Sequence, residues 1–145
     1  MSTRAVFRFR EGTETYYIYK HHDGYLEGAA AALFDTIESG LAWSLPRFEP
    51  DEFAAAFIAA NKKAPGGIRL LRHVGDISSD VEFVYDLAPA PNGQLILTAW
   101  TTDGFLARSF NPVGKGKKPL FYGRLKDFLA EQLHFSTAER IGEYV

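Results

Sequence analysis

Hydrophobic residues recur at two intervals along this chain, and the interval changes from segment to segment. Residues 4–10 alternate, with Ala5, Phe7 and Phe9 on one face and Arg4, Val6, Arg8 and Arg10 on the other. A period of two belongs to a strand with one buried face. Glu11-Gly12-Thr13 supplies a turn, and Thr15 to Lys20 resumes with Tyr16, Tyr17, Ile18 and Tyr19. β-branched and aromatic side chains suit a pleated, half-buried surface. These two segments predict an opening hairpin.

After Asp23-Gly24 the interval lengthens. Leu33, Ile37 and Leu41 are spaced by four, and Ala30, Phe34 and Ile37 by four and three. That spacing predicts a helix from about Glu27 to Gly40, with these residues on one side. The Ala29-Ala30-Ala31-Ala32 run has high helix propensity and little bulk, which permits close packing. Gly40 is placed to end the helix. A second helix is predicted from about Asp51 to Lys63, entered through Pro50 and capped by Asp51 or Glu49. Phe53, Phe57 and Ala60 share a face, Asn61-Lys62-Lys63 puts cations where the helix dipole is negative, and Pro65-Gly66-Gly67 stops the helix.

The second half reads mostly as strands. Ile68 to Val74 mixes apolar residues with Arg69 and Arg72. Val81, Phe83, Tyr85 and Leu87 alternate with Glu82, Val84 and Asp86. Asn92-Gly93 suits a hairpin turn into a strand from Gln94 to Thr101. Phe105 to Val113 predicts a returning strand, and Leu120-Phe121-Tyr122 a short apolar run. Leu125, Phe128, Leu129 and Leu133 mark the inner side of a last helix, and Ser136-Thr137-Ala138-Glu139 fits a capping box for a short terminal one. Strands come in runs and do not alternate with helices. The expected fold is therefore α+β: a mainly antiparallel sheet, made of an N-terminal hairpin and a C-terminal meander, with two or three helices on one face. This order of elements argues against a doubly wound nucleotide-binding fold.

Composition adds bounds. A chain of 145 residues favours one domain over its whole length. At that size roughly 68–70% of the unfolded chain's surface is buried, so a core needs no metal or disulfide. With 46% hydrophobic and 14% aromatic residues, this is not a disordered chain. There are no cysteines, which excludes disulfides, thiolate metal sites and a cysteine nucleophile. The N-terminal Met-Ser-Thr-Arg becomes charged at once and does not read as a secretory signal. No stretch approaches the roughly 18 apolar residues of a membrane span. The expectation is a soluble, cytoplasmic protein carrying its initiator methionine.

Candidate chemistry gathers first at Tyr17 to Gly28, where the strand-like run ends and the helix-like run begins. It holds two of the four histidines and an Asp-Gly turn. His21, His22 and Asp23 have the donor types of a divalent-metal site, and a His–Asp pair can act as a general base. Neighbours in a strand point to opposite faces, so His21 and His22 can share an ion only in a turn, with further ligands from His73, His134 or a carboxylate. The other reading is structural: Asp23-Gly24 shapes the turn, Asp23 caps the helix and one histidine bonds backbone.

Charge is the second feature. From Val74 to Ala107 there are five acidic residues (Asp76, Asp80, Glu82, Asp86, Asp103) and no basic one. From Arg108 to Lys126 there are six basic residues (Arg108, Lys115, Lys117, Lys118, Arg124, Lys126) and no acidic one. The basic segment interleaves Phe110, Phe121 and Tyr122 with its cations, a mixture that grips phosphates and stacks on bases. Lys115, Lys117, Lys118 and Arg124 would carry that binding. Alternatively the two segments are neighbouring strands whose charges pair across the sheet, which fits the net charge of -2 better.

Arg4, Arg8 and Arg10 form a stripe that either meets a partner or guards an edge strand against aggregation. With Tyr16, His21, His22, Asp23 and Tyr25 they make the opening hairpin the best contact surface, because exposed Tyr and Arg are favoured at interfaces.

From Val6 to Leu33, about a fifth of the chain, the sequence resembles a family of small uncharacterised phage and prophage proteins. The residues that carry the resemblance are Tyr19, His22, Asp23, Gly24, Tyr25, Gly28 and the apolar helix from Ala29. Leu26 stands where that family has proline. The resemblance implies a phage or prophage setting and brings no activity and no functional residues.

The leading expectation is a non-enzymatic accessory protein that binds another protein, a host factor if the phage setting holds. Nucleic-acid or anion binding through residues 108–126 is the second, and a metal-dependent enzyme at His21, His22 and Asp23 the third. No cofactor and no membrane partner is expected. If the arginine stripe is the contact surface, charge reversal of Arg8 and Arg10 abolishes capture and leaves the melting temperature alone.

Overall fold

A computed structural model describes residues 2–43, 47–78, 80–102 and 118–134. The alternating N-terminus forms β1 (Ala5–Glu11) and β2 (Glu14–Lys20), followed by α1 (Leu26–Glu38) and α2 (Pro50–Asn61). β3 (Ile68–Leu71) leads into a 3-10 turn (Val74–Asp76), then β4 (Phe83–Pro89) and β5 (Leu95–Thr101). β6 (Phe121–Arg124) runs directly into α3 (Leu125–Leu133). The six strands among the described residues form one sheet in the order β3-β2-β1-β4-β5-β6. Every neighbouring pair is antiparallel except β1 and β4, which are parallel. The architecture is α+β, with a mixed and mostly antiparallel sheet. The strand expected at residues 105–113 and the helix at 136–139 lie outside the described residues.

The period of two divides the sheet into two faces. Ala5, Phe7, Phe9, Ile18, Tyr85, Leu87, Leu97 and Ala99 point at the helices and join Leu33, Phe53, Phe57, Phe128 and Leu129 in the main core. Ring contacts tie the layers together: Phe7 lies 4.7 Å from Phe57 and 4.9 Å from Tyr85, and Phe9 lies 5.1 Å from Phe53. Such pairs are worth about 0.5–1.5 kcal/mol beyond the area they bury. On the opposite face Val6, Val84 and Trp100 are covered by Ile77 and Val81, so the chain after β3 folds back over the sheet.

The alanine run of α1 lets α2 come close. Asn61 of α2 donates to the Ala32 carbonyl at 3.2 Å and to its own helix at Phe57 O at 2.9 Å. Pro50 opens α2 as its first residue. The expected side-chain caps are not formed: Tyr25 and Glu49 hold the N-cap positions, and neither they nor Asp23 caps a helix through its side chain. Gly40 donates to Asp35 O, but the left-handed residue after α1 is Leu41, at φ 61°. Between β4 and β5, Gly93 takes φ 85° and Asn92 Oδ1 accepts from the Gln94 N–H, as a tight hairpin requires.

The β2–α1 junction is built by close approach. Asp23 turns the chain at φ 56°, a left-handed conformation that its short polar side chain tolerates. A Cβ on Gly24 would sit 2.6 Å from Ala5 Cβ and 2.9 Å from Thr3 O. The buried Tyr85 hydroxyl donates to Gly24 O at 2.6 Å, locking the junction to β4. Tyr85→Phe leaves that buried carbonyl without its donor, and should cost about 1–2 kcal/mol in urea unfolding with an unchanged m-value.

Candidate functional site

β3 has four residues and pairs only with the C-terminal half of β2, Tyr17 to Lys20. The turn that precedes β3 therefore stands beside His21, whose N–H donates to Gly67 O at 3.0 Å. After β3 the chain crosses the second face of the sheet and brings Ser78 and Asp80 opposite that turn. Between them lies an open cleft of about 450 Å³. Tyr19 and Leu71 line it from the sheet, the 64–67 turn from one side and Ser78 and Asp80 from the other, with Arg4, Arg69, His21 and His22 among the lining residues.

The polar groups are ordered. Tyr19 Oη lies 2.6 Å from His21 Nδ1, and Ser2 Oγ lies 3.1 Å from His22 Nδ1. The two imidazoles meet edge to face, 4.6 Å between centroids. Lys20 Nζ donates to the His22 carbonyl. Arg4 Nε lies 3.4 Å from Asp80 Oδ2, and Ser78 Oγ donates to Asp80 Oδ1. The Ser78 hydrogen bond first, and the Arg4 charge after it, hold the Asp80 carboxyl below its ordinary range. Partial burial, then the positive charges of His22 and Arg4, hold the His21 imidazole below the ordinary histidine value, with Asp80 acting the other way. Burial likewise lowers the Lys20 ammonium. Arg69 forms no salt bridge among the described residues.

The structure separates the residues singled out on the hairpin. Arg4, His21 and His22 come together in the cleft. Arg8 and Arg10 lie further along the same face and both bind Asp86, with Arg8 Nε at 2.6 Å and Arg10 Nε at 2.8 Å from Oδ1. Tyr16 packs on the opposite, helical face. Asp23 shapes the turn, and Tyr25 is exposed at the N-cap of α1. The stripe does not guard an edge either: β1 lies between β2 and β4, inside the sheet.

Asp86 receives both arginines because β4 lies parallel to β1, with Arg8 and Asp86 in register. The acidic segment therefore pairs with N-terminal arginines: Asp86 with Arg8 and Arg10, and Asp80 with Arg4. Arg124, from the basic segment, pairs with Asp127 at 2.8 Å. Pairing between the two oppositely charged segments is thus not formed among the described residues. Lys118 is exposed, whereas Lys115 and Lys117 lie outside the described residues.

The other histidines are elsewhere. His73 Nδ1 accepts from the Gly75 N–H at the 3-10 turn, and His134 is the left-handed cap of α3. Among the described residues no group of three or more His, Asp or Glu side chains is placed to hold a metal ion, the His21-His22-Asp23 set included. No described helix is long and apolar enough to cross a membrane.

Sequence reasoning missed Arg69, Leu71 and the 64–67 turn as neighbours of His21. The one local signal was the Pro65-Gly66-Gly67 stop just ahead of a short apolar strand. No protein-family model matches the chain, and neither a curated protein nor a solved structure matches it.

Proposed function

We propose that this is a non-enzymatic accessory protein, of phage or prophage type and acting in the cytoplasm, that captures another protein by adding one of its strands to β3. The observation that carries this reading is the edge itself. β3 ends the sheet. The His21 N–H bond to Gly67 O lies two residues along the ladder from the Tyr19–Arg69 pair, in phase with it, so the Gly67 carbonyl and the peptide groups of Arg69 and Leu71 point toward β2. The N–H groups of Ile68 and Leu70 then point away from the sheet, a ready template for a further strand. Leu70 is 67% exposed on this edge, an apolar contact for an incoming strand.

The edge also favours a partner of one charge. Residues 62–75 include Lys62, Lys63, Arg69 and Arg72 and no carboxylate, so an acidic strand is preferred. The phage setting rests on the resemblance at Tyr19 to Gly28.

The test uses tagged protein in host lysate, with and without nuclease, beside Leu70→Pro. Proline at an outward-facing edge position removes one free donor and spares the ladder to β2. A nuclease-resistant partner whose recovery drops up to about tenfold with Leu70→Pro is expected, since one lost backbone hydrogen bond is worth up to about that much. Equal recovery by the variant rules out β3 as the capture edge. Recovery that vanishes with nuclease moves the reading to nucleic acid.

A further inference from the structure

We infer that the cleft between the 64–67 turn and Ser78–Asp80 is an oxyanion site, in which Arg69 supplies the charge and His21 and His22 the directed donors. It is distinct from strand addition, because it uses side chains on the second face of the sheet and none of the outward peptide groups of β3.

Four side chains that are cationic or can become so line one cleft of about 450 Å³, against one carboxylate. That carboxylate, Asp80, is engaged by Ser78 and Arg4, which leaves Arg69 and His21 to hold the anion. Those two are joined through Tyr19, which is in register with Arg69 and whose hydroxyl meets His21 Nδ1. Tyr19 and Ser2 occupy the Nδ1 atoms of His21 and His22, leaving each Nε2 for a ligand. Arg69 adds a planar fork of donors, the geometry that matches a carboxylate, sulfate or phosphate group.

The cleft's own groups disfavour protonation of His21, through partial burial and the neighbouring charges of His22 and Arg4. An anion between Arg69 and His21 reverses that balance, since an opposite charge favours the protonated imidazole. Binding must then strengthen as pH falls through the histidine range. The groups that face His21 are Tyr19 and His22 on its own segment, Arg4 ahead of β1, Arg69 of β3 and Asp80 across the cleft. Of these, Asp80 is held below its ordinary range and stays ionised, so the His21 imidazole sets the profile.

Sulfate is the suitable probe because its charge is constant across that range. Amide chemical shifts would be followed during titration with sodium sulfate, against sodium chloride at matched ionic strength. Saturable shifts at His21, His22 and Gly67 with Kd on the order of 1 mM are expected for a few charge-assisted bonds in an open cleft. Affinity should rise about tenfold from about pH 8 to about pH 5.5, and His21→Gln should flatten that rise. Arg69→Glu, an exposed change on a terminal strand, should lower affinity at least about tenfold.

A phosphoserine peptide compared with sulfate identifies the source. Tighter binding than sulfate, absent from the unphosphorylated peptide, assigns the site to a partner's modified side chain, and equal binding assigns it to a free oxyanion. Shifts that chloride reproduces, or unchanged sulfate affinity in Arg69→Glu, overturn the site. Leu70→Pro should bind sulfate like the parent protein, so failure of strand capture and failure of the oxyanion site are separately visible.

Discussion

Replacing Arg8 and Arg10 together by alanine is expected to destabilise the fold by about 3–5 kcal/mol, the usual cost of leaving a buried charge without its partner. Asp86 is only 4% exposed, and its two oxygens accept from Arg8 Nε at 2.6 Å, Arg10 Nε at 2.8 Å and Arg10 Nη2 at 2.8 Å. The Asp86 hydrogen bond in turn holds the Arg10 guanidinium above its ordinary value, against the effect of burial. Arg10 keeps 44% of its side chain in solvent and Arg8 only 16%, so Arg8 carries more of the effect. The melting temperature should fall on the order of 10 °C for a chain of this size. Adding Asp86→Leu to the double variant removes the orphaned carboxylate and should restore most of the loss. A double variant as stable as the parent would show that water solvates Asp86 without help. Charge reversal at Arg8 and Arg10, expected from the sequence to leave melting untouched, should therefore lower it at least as much. For that reason those two variants cannot report on partner binding.

Gly28→Ala should cost at the upper end of the about 1–3 kcal/mol seen when a methyl is forced into a filled site. A Cβ at Gly28 would press directly on the Asp23 carbonyl oxygen, a backbone atom that no rotamer change can move aside. To accommodate it, α1 must shift its first turn or Asp23 must leave its left-handed conformation. Either movement disturbs the Gly24 contact with Ala5 and the Tyr85 bond to Gly24 O. Denaturant unfolding would show the loss as a lower midpoint. A midpoint equal to the parent's would mean that α1 slides freely over the hairpin, which the packing of Ala29, Ala30 and Leu33 against the sheet opposes.

These two sites show where sequence reading stopped. The alternation in residues 4–10 correctly put Arg8 and Arg10 on one face and Phe7 and Phe9 on the other. It could not say that β1 is central, because edge and centre depend on which distant strand arrives. β4 arrives after two helices and β3, and pairs in parallel, bringing Asp86 into register with Arg8 across 78 residues. The charged segments after Val74 were legible as charges but not as partners, for the same reason. The Asp23-Gly24 turn and Gly28 were legible as a junction. The physical demand on both glycines, contact with Ala5 and with the Asp23 carbonyl, appears only once the helix is docked.

Over the described residues the sequence by itself determined the element types and their approximate bounds, because local periodicity and turn residues act within a few positions. It also determined the two faces of each central strand and the helices' burial against one of them. The tertiary structure alone decided the strand order, the parallel β1–β4 pair and the Arg8–Asp86–Arg10 cluster. It also made β3 the terminal strand and placed the cleft that joins Arg4, His21 and His22 to Arg69. Those features depend on contacts between residues tens of positions apart. Such contacts are selected by burying the whole apolar surface at once, and no local pattern encodes that choice.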